Sequence, residues 1–371
     1  MEEAKMKGPA MRSCLELIKP YEPGKPIEEV ERELDLTDVI KLASNENPLG
    51  PSPAALKAVV EQLPRLHYYP DMHSHRLREA LAKKYGLDMD MVIVGNGTDE
   101  LMTLVALAYL NPGDEAVIAQ PTFAEYEFAV RLMGGVPRFV PLAGEEFRYD
   151  LHAFAAAVNE RTRLVFICSP NNPTGTIVRR EELERFLDSL SPAVLVVLDH
   201  AYIEYATDPS HPDGIDYIKE GRPLLALRTF SKIYGLAGLR IGYALAPPGV
   251  IAALNRVRVP FNVNAAAQAA AVAALADSEH LARSKALAER GRRQLAEGLA
   301  QLGLKAVPSE ANFCFVDLKR DARPVFEALL RRGVIVRSGH IFGYPSYIRV
   351  TCGTEEQNHR FLRALEEVLA G

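Results

Sequence analysis

The sequence predicts an α/β fold in which a mostly parallel central sheet lies under helices, followed by a smaller α+β domain at the C-terminus. Short apolar runs rich in β-branched residues recur, and each is followed by turn residues and then by helical periodicity. Runs such as Val194–Leu198 do not alternate apolar with polar residues, which is typical of strands buried on both faces. The 371 residues suffice for about two domains.

The pattern assigns six strands and three clear helices to the first part of the chain. The predicted strands are Met91–Val94, Glu115–Ile118, Leu164–Cys168, Val194–Leu198, Leu224–Leu227 and Ile241–Leu245. The predicted helices are Glu100–Leu110, Leu151–Val158 and Arg180–Leu190. We therefore expect a large domain over residues 46–276.

The two ends of the chain differ from this alternation. Residues 1–45 are predicted to form an N-terminal arm and the start of the small domain, with prolines that interrupt any long helix and a short helix over Glu28–Leu34. An Ala-rich stretch predicts two helices separated near Asp277-Ser278. The small domain, 277–371, is then expected to contain Asn312–Val316, Pro324–Arg332, Val334–Arg337, Ile348–Cys352 and Glu355–Leu369 as strand, helix, strand, strand and helix.

Composition excludes several classes of function. Lys plus Arg number 43 against 48 for Asp plus Glu, and this net charge of −5 argues against binding along a nucleic-acid backbone. The longest apolar stretch, Ala265–Ala276, is too short to span a bilayer. Four cysteines without a C-x-x-C pair predict a reducing, cytoplasmic location and no metal site.

Four polar clusters follow four of the predicted strands, three of them directly and the fourth after one residue. They are Gly95–Glu100, Ser169–Gly175, Asp199–Tyr202 and Thr229–Lys232. Because ligands of open parallel sheets bind outside the carboxyl ends of the strands, we expect these clusters to share one crevice.

Each cluster has both a chemical and an ordinary structural interpretation. The helix that Gly97-Thr98-Asp99 begins suits a phosphate, although the same residues suit a simple N-cap. Asp199 follows five apolar residues and needs a cationic partner, which a local arginine also supplies. A lysine buried at position 232 loses its proton more easily and can form a Schiff base, although most lysines at strand ends are solvated. No P-loop, H-E-x-x-H or G-x-S-x-G motif competes.

Taken together, these clusters resemble the fold-type I pyridoxal-phosphate aminotransferases. Three further segments, Pro20–Pro26, Lys41–Pro53 and Tyr69-Pro70-Asp71, resemble the histidinol-phosphate aminotransferase family within them. The resemblance extends from about Tyr21 to Leu369. It implies an enzyme of histidine biosynthesis that exchanges an amino group between histidinol phosphate and 2-oxoglutarate.

The resemblance also implies roles for individual residues around pyridoxal 5′-phosphate. Lys232 matches the Schiff-base lysine, and Asp199 matches the aspartate that keeps the ring nitrogen protonated. Asn172 and Tyr202 match the pair that bonds the ring hydroxyl, and Phe123 matches the aromatic that stacks on the ring. The residues that match the phosphate site are Gly97, Thr98, Asp99, Thr229, Ser231 and Arg240.

Other matching positions concern the substrate and a second subunit. Tyr69 matches a tyrosine that the family supplies from the neighbouring subunit, which implies a homodimer. Arg349 matches the arginine that binds substrate carboxylate, and Arg337 and Tyr21 match positions near the substrate phosphate. Asn172 is also expected to contact the substrate.

Two departures from the family pattern leave substrate preference open. His200 stands where the family usually has an acid, and residues 338–344 differ from the commoner Pro- and Leu-rich version. The alternatives are an aromatic amino-acid aminotransferase, a threonine-phosphate decarboxylase and a non-catalytic cofactor-binding module. The last usually carries a DNA-binding domain, and nothing in the first 45 residues resembles a helix-turn-helix.

Overall fold

The computed structural model describes residues 9–20 and 24–370, and its secondary structure follows the predicted alternation. The α-helices are α1 (Ile27–Leu34), α2 (Pro53–Gln62), α3 (His75–Tyr85), α4 (Gly97–Tyr109), α5 (Glu125–Leu132), α6 (Leu151–Ala157), α7 (Arg180–Ser189), α8 (Gly214–Lys219), α9 (Pro248–Val257), α10 (Ala265–Ala276), α11 (Ser278–Gln301), α12 (Ala322–Leu330) and α13 (Glu355–Ala370). The strands are β1 (Ile40–Lys41), β2 (Val92–Gly95), β3 (Glu115–Gln120), β4 (Val136–Pro141), β5 (Thr162–Cys168), β6 (Leu195–Asp199), β7 (Leu224–Thr229), β8 (Gly242–Leu245), β9 (Phe313–Asp317), β10 (Val334–Ile335), β11 (Arg337–Ser338) and β12 (Tyr347–Thr351).

The central sheet has seven strands in the order β2-β8-β7-β6-β5-β3-β4. Only β8 runs antiparallel to its neighbours, so the prediction of a mostly parallel sheet is confirmed. Successive residues of β6 belong to different hydrophobic clusters, with Val196 and Leu198 on one face and Leu195 and Val197 on the other. The uninterrupted apolar run therefore reflects burial on both faces.

The sequence pattern missed one strand of this sheet. β4, at the edge beside β3, has the sequence Val-Pro-Arg-Phe-Val-Pro and is largely solvent-exposed. Prolines are tolerated at an edge because one side of the strand needs no hydrogen-bond donors. Because this segment contains two prolines and is mostly exposed, it lacks the uninterrupted apolar run by which the interior strands were predicted.

The C-terminal elements form a second core around β9, β12, α12 and α13. β9 and β12 pair antiparallel, and α11 begins at an N-cap in which Asp277 accepts from the His280 N–H at 2.9 Å. The prediction of a single strand over Val334–Arg337 is wrong, because two short strands, β10 and β11, form there. β10 pairs with β1 from the N-terminal segment, whereas β11 pairs with β12.

The boundaries predicted at 45/46 and 276/277 stay a prediction. Phe313 and Phe315 from the C-terminal region pack into the same hydrophobic cluster as the central sheet. Within residues 9–20 and 24–370, no helix is long and apolar enough to cross a membrane. In the same residues, no group of three or more His, Cys, Asp or Glu side chains is placed to hold a metal ion.

Candidate active site

The four polar clusters meet at one edge of the central sheet. β2 and β7 are both antiparallel to β8, and β5, β6 and β7 are parallel, so all four clusters follow strands that point the same way. A cavity of about 1090 Å³ opens there, and Thr98, Asn172, Asp199 and Lys232 from the four clusters all line it. We call it the strand-end cavity.

Lys232 lies three residues beyond β7, between the fully buried Phe230 and Ile233. Its Nζ donates a hydrogen bond to the Ser44 carbonyl at 3.0 Å. Burial, and then the charge of Arg349, lowers the pKa of Lys232 to about 8. A substantial share of neutral amine is therefore present near pH 8, which a lysine nucleophile or base requires.

Asp199 is the last residue of β6 and is only 3% exposed. Its Oδ2 accepts a hydrogen bond from the Tyr126 hydroxyl at 2.6 Å, and its Oδ1 accepts from the Ala201 N–H at 2.9 Å. Burial raises the pKa of Asp199 to about 6, and these two bonds limit the rise. The carboxylate is thus oriented and desolvated, which favours pairing with a cation that enters the cavity.

The start of α4 and the turn after β7 form a concave polar surface. Gly97 has a φ of +82°, and a Cβ there would lie 2.7 Å from an Arg240 nitrogen, so glycine is required. Arg240 pairs with Asp99 at 3.1 Å, and the Ser231 N–H donates to Thr229 Oγ1 at 3.0 Å. The cavity-lining members of this surface are Thr98, Asp99, Thr229, Ser231 and Arg240. Helix N-terminal N–H groups, hydroxyls and a guanidinium suit a phosphate dianion.

Asn172 and Tyr202 line the cavity near Lys232, whose Nζ lies 5.7 Å from the Tyr202 ring centroid. The Tyr202 hydroxyl accepts from Asn45 Nδ2 at 2.9 Å, and burial raises the pKa of Tyr202. Asn172 Oδ1 accepts from Arg349. Phe123 also lines the cavity, with its ring edge-on to Tyr126 at 5.8 Å.

Two arginines from the β11–β12 pair reach the same cavity. Arg337 and Arg349 are direct cross-strand partners. Arg349 is buried, donates to the Ala43 carbonyl, and has its guanidinium carbon 5.3 Å from the Phe313 ring centroid and 5.6 Å from that of Phe342. Stacking of this kind holds the planar guanidinium ready for a two-point contact with an anion.

Tyr69 and His200, both discussed in the sequence, do not line the cavity. Tyr69 is 82% exposed, stacks on Phe261 at 4.8 Å and does not line the cavity. Tyr21 lies outside the described residues. His200 is buried with Nδ1 at 2.8 Å from the Ser169 carbonyl and Nε2 accepting from the Gly214 N–H, so its ring makes no direct hydrogen bond with Asp199.

Sequence reasoning missed Tyr126, Asn45 and Thr351 as members of the site. Tyr126 lies three residues after Phe123 and had no distinguishing signal. Asn45 falls inside Lys41–Pro53, a segment that the family resemblance had already singled out. Thr351 follows Arg349 by two residues, on the same face of β12.

A comparison with protein families matches residues 37–365 to the model of aminotransferase class I and II. The chain therefore belongs to the class I and II aminotransferases, as its sequence predicted. It is 56% identical to a histidinol-phosphate aminotransferase of Moorella thermoacetica, over 98% of this chain and 94% of that protein. It is 49% identical to one of Caldicellulosiruptor saccharolyticus, over 96% of this chain and 99% of that protein.

Among solved structures, the chain is similar to a histidinol-phosphate aminotransferase of Sinorhizobium meliloti in complex with pyridoxal-5′-phosphate. The TM-score is 0.90 at 29% identity, over 99% of both chains. The predicted fold type I architecture is confirmed by this similarity.

Proposed function

We propose that this chain is a pyridoxal 5′-phosphate-dependent histidinol-phosphate aminotransferase of histidine biosynthesis. It converts histidinol phosphate and 2-oxoglutarate to imidazole-acetol phosphate and glutamate, reversibly and by a ping-pong scheme. This proposal is carried by one observation: Lys232 lines the same cavity as Arg337 and Arg349, which are cross-strand partners of each other. The names of the similar proteins support the same substrate.

The cavity residues fit the cofactor chemically. Asp199, desolvated and oriented, suits the protonated ring nitrogen, and the surface formed by Thr98, Thr229, Ser231 and Arg240 suits the phosphate. Phe123 is available to stack on the ring. When bound, pyridoxal phosphate supplies an electron sink for the charge that develops at the substrate Cα.

Lys232 handles the proton in this scheme. Its amine, with a pKa lowered to about 8, takes the proton from the Cα of the amino-group donor in one half-reaction. In the other half-reaction it gives a proton back to the Cα of the acceptor. Positioned transfer of this kind contributes about 10²–10⁴-fold in rate. Desolvation at the cavity wall favours the neutral form of this amine.

The paired arginines account for two different substrates. Arg349 binds the α-carboxylate of glutamate through a preordered guanidinium. Histidinol phosphate has no carboxylate, and its phosphate dianion binds beside Arg337. A planar guanidinium can donate two parallel hydrogen bonds to either group.

The enzyme is proposed to be a cytoplasmic homodimer in which Tyr69 reaches the partner subunit's cofactor phosphate. An apolar surface on α2 and the segment after it supports this assembly. Its exposed members are Leu56, Val60, Leu63, Leu66, Tyr68 and Tyr69. Six exposed large apolar side chains within fourteen residues favour burial against a second copy. The free state of all four cysteines supports the reducing location.

Single-turnover absorbance measurements test the substrate assignment. The cofactor-loaded protein is mixed in turn with histidinol phosphate, phenylalanine and threonine phosphate, and the bleaching rate of the yellow form is recorded. Histidinol phosphate is expected to react fastest by kcat/KM. A preference for phenylalanine would instead indicate an aromatic aminotransferase. Release of CO₂ from threonine phosphate would indicate a decarboxylase, and the absence of bleaching with every amine would indicate a non-catalytic module.

An arginine variant sharpens this test. Arg337→Ala is expected to lower kcat/KM for histidinol phosphate by about 10²-fold, because a charge-assisted bidentate contact is lost, while the value for phenylalanine changes little. Arg331→Ala, at the exposed end of α12, is the matched control. Equal losses for both substrates would contradict the assignment of Arg337 to the phosphate.

A further inference from the structure

A short segment, residues 42–47, lines the strand-end cavity with Ala43–Glu46 and is held by hydrogen bonds along its length. Arg349 donates to the Ala43 carbonyl, and Lys232 donates to the Ser44 carbonyl. Asn45, 1% exposed and with a φ of +57°, lies at its centre. Its side chain is the link between the segment and Tyr202.

The hydrogen bonds of the Asn45 side chain fix which end of its amide faces Tyr202. The Thr351 hydroxyl donates to Asn45 Oδ1 at 3.0 Å, while Thr351 Oγ1 accepts from the Asn45 backbone N–H at 3.0 Å. The amide oxygen is thus engaged by Thr351, and the amide nitrogen faces Tyr202. Asn45 Nδ2 then donates to the Tyr202 hydroxyl oxygen at 2.9 Å.

This arrangement leaves the Tyr202 proton without a partner on the Asn45 side. An amide NH₂ group has no lone pair to accept a hydrogen bond, so the Tyr202 hydroxyl acts as acceptor there. Its own O–H must point elsewhere. Tyr202 lines the strand-end cavity, with Lys232 Nζ 5.7 Å from its ring centroid, so a group bound in the cavity can receive that proton.

The amide of Asn172 is also oriented by a hydrogen bond to its oxygen, in this case from Arg349. Arg349 donates to Asn172 Oδ1, so the carbonyl end of that amide is occupied and its NH₂ group remains to donate. Two donors, the Tyr202 hydroxyl and the Asn172 amide, are thus available in one cavity. Such a pair suits an oxygen that carries negative charge.

We propose that Asn45, oriented by Thr351, is a positioning residue that directs the Tyr202 hydroxyl proton toward the ring oxygen of the bound cofactor. The inference rests on the proposed function, since it requires pyridoxal phosphate at Lys232. It adds a role that neither Asn45 nor Thr351 had in the sequence analysis. Asn45 contacts neither substrate nor cofactor in this role and acts through Tyr202.

The expected consequence is spectroscopic. Donation to the ring oxygen stabilises its negative charge and weakens the hold of the neighbouring linking nitrogen on its proton, so the pKa of the yellow lysine-linked form is kept low. The charged and titratable groups that act electrostatically on Tyr202 are Arg349 on β12, Cys168 on β5, Asp199 on β6 and Tyr205, with Lys232 near its ring. None of these is altered by a substitution at position 45 or 351.

The test is an absorbance pH titration of the cofactor-loaded protein in a double-mutant cycle. Tyr202→Phe is expected to raise the pKa of the lysine-linked form by about one unit, the value of a charge-assisted hydrogen bond. Asn45→Ala should raise it in the same direction by at least half as much. The double variant should match Tyr202→Phe alone, because Asn45 acts through the hydroxyl that is missing.

Two further variants separate this role from a general loss of structure. Thr351→Val removes the hydroxyl that orients Asn45 and should also raise the pKa, whereas Thr351→Ser should retain the wild-type value. These two answer the question even if Asn45→Ala does not fold. Asn358→Ala removes a buried asparagine that bonds Gly353 and Gln294, away from the cavity, and should lower stability without moving the titration.

The outcomes are distinct. An unshifted titration in Asn45→Ala or, should that variant not fold, in Thr351→Val would overturn the inference, as would shifts that add fully in the double variant. A wild-type protein that forms no lysine-linked chromophore would overturn the proposed function as well. A normal wild-type spectrum with unshifted variants overturns only the role of Asn45.

Discussion

The Tyr126 hydroxyl donates a hydrogen bond to Asp199 Oδ2 across 2.6 Å, although the two residues lie 73 positions apart in the chain. The Tyr126 ring is stacked on Phe166 of β5 with centroids 5.0 Å apart, which fixes the direction of the hydroxyl. The Ala201 N–H holds the other carboxylate oxygen. The carboxylate that is expected to meet the cofactor ring is therefore oriented by the protein itself.

Tyr126→Phe should weaken cofactor binding. The hydrogen bond from Tyr126 lowers the pKa of Asp199, so its loss lets burial raise that pKa beyond about 6 and leaves less carboxylate to pair with the ring nitrogen. We expect the cofactor dissociation constant to rise about tenfold. Equilibrium dialysis of the wild type and the variant measures this. Tyr109→Phe, at the far end of α4, is the control, and an unchanged constant in Tyr126→Phe would refute the role of Tyr126.

Cofactor capture by the cofactor-free protein should depend on pH through Lys232. Only the neutral amine attacks an aldehyde, and the pKa of this amine is lowered from 10.5 to about 8. The second-order capture rate should rise about tenfold per pH unit below 8 and level off above it. Stopped-flow absorbance follows the reaction, with Lys232→Ala as the blank. A rate that keeps rising to pH 10 would show an ordinary, solvated lysine.

His200 should make the cofactor-free protein less stable in mild acid. Burial lowers the pKa of His200 from 6.5 to about 3, so between these values the unfolded chain binds the extra proton and stability falls as the pH falls. Between pH 7.5 and 5.5, the free energy of unfolding of His200→Asn should therefore fall by about 1.4 kcal/mol less than that of the wild type. Urea unfolding at the two pH values measures the difference. His211, also buried with its pKa lowered, remains in both proteins, and an identical pH dependence would argue against the prediction.

The homodimer can be tested by complementation between subunits. Lys232→Ala and Tyr69→Ala should each be strongly impaired alone, because one lacks the amine and the other lacks the tyrosine expected across the interface. A co-expressed equal mixture should regain about a quarter of wild-type activity, since half of the dimers carry one intact site. A mixture no more active than its separate components would contradict the shared site.

The sequence predicted most of the strands and the polar residues that follow them, but few of the contacts between distant segments. The clusters at Asn172, Asp199 and Lys232 were evident because each follows an apolar run and parallel strands end at a common edge. The family match confirms the class of enzyme. The roles assigned to individual site residues remain predictions.

The features that were missed depend on contacts between distant parts of the chain. Asn45 meets Tyr202 across 157 positions, and no local pattern marks the pair. The split between β10 and β11 follows from pairing with two different strands, which the continuous apolar run of Val334–Val336 conceals. The edge strand β4 was missed because its prolines and its exposure lack the signature of a buried strand.

The proposed function depends above all on a covalent bond between Lys232 and the cofactor. Borohydride adds hydride to the carbon–nitrogen double bond of the cofactor-loaded protein and converts it to a stable secondary amine, and peptide mass mapping then locates the modified lysine. We expect a phosphopyridoxyl group on Lys232, in the peptide that follows β7, and on no other lysine. A modified lysine elsewhere, or a yellow protein that reduction leaves unmodified, would contradict it.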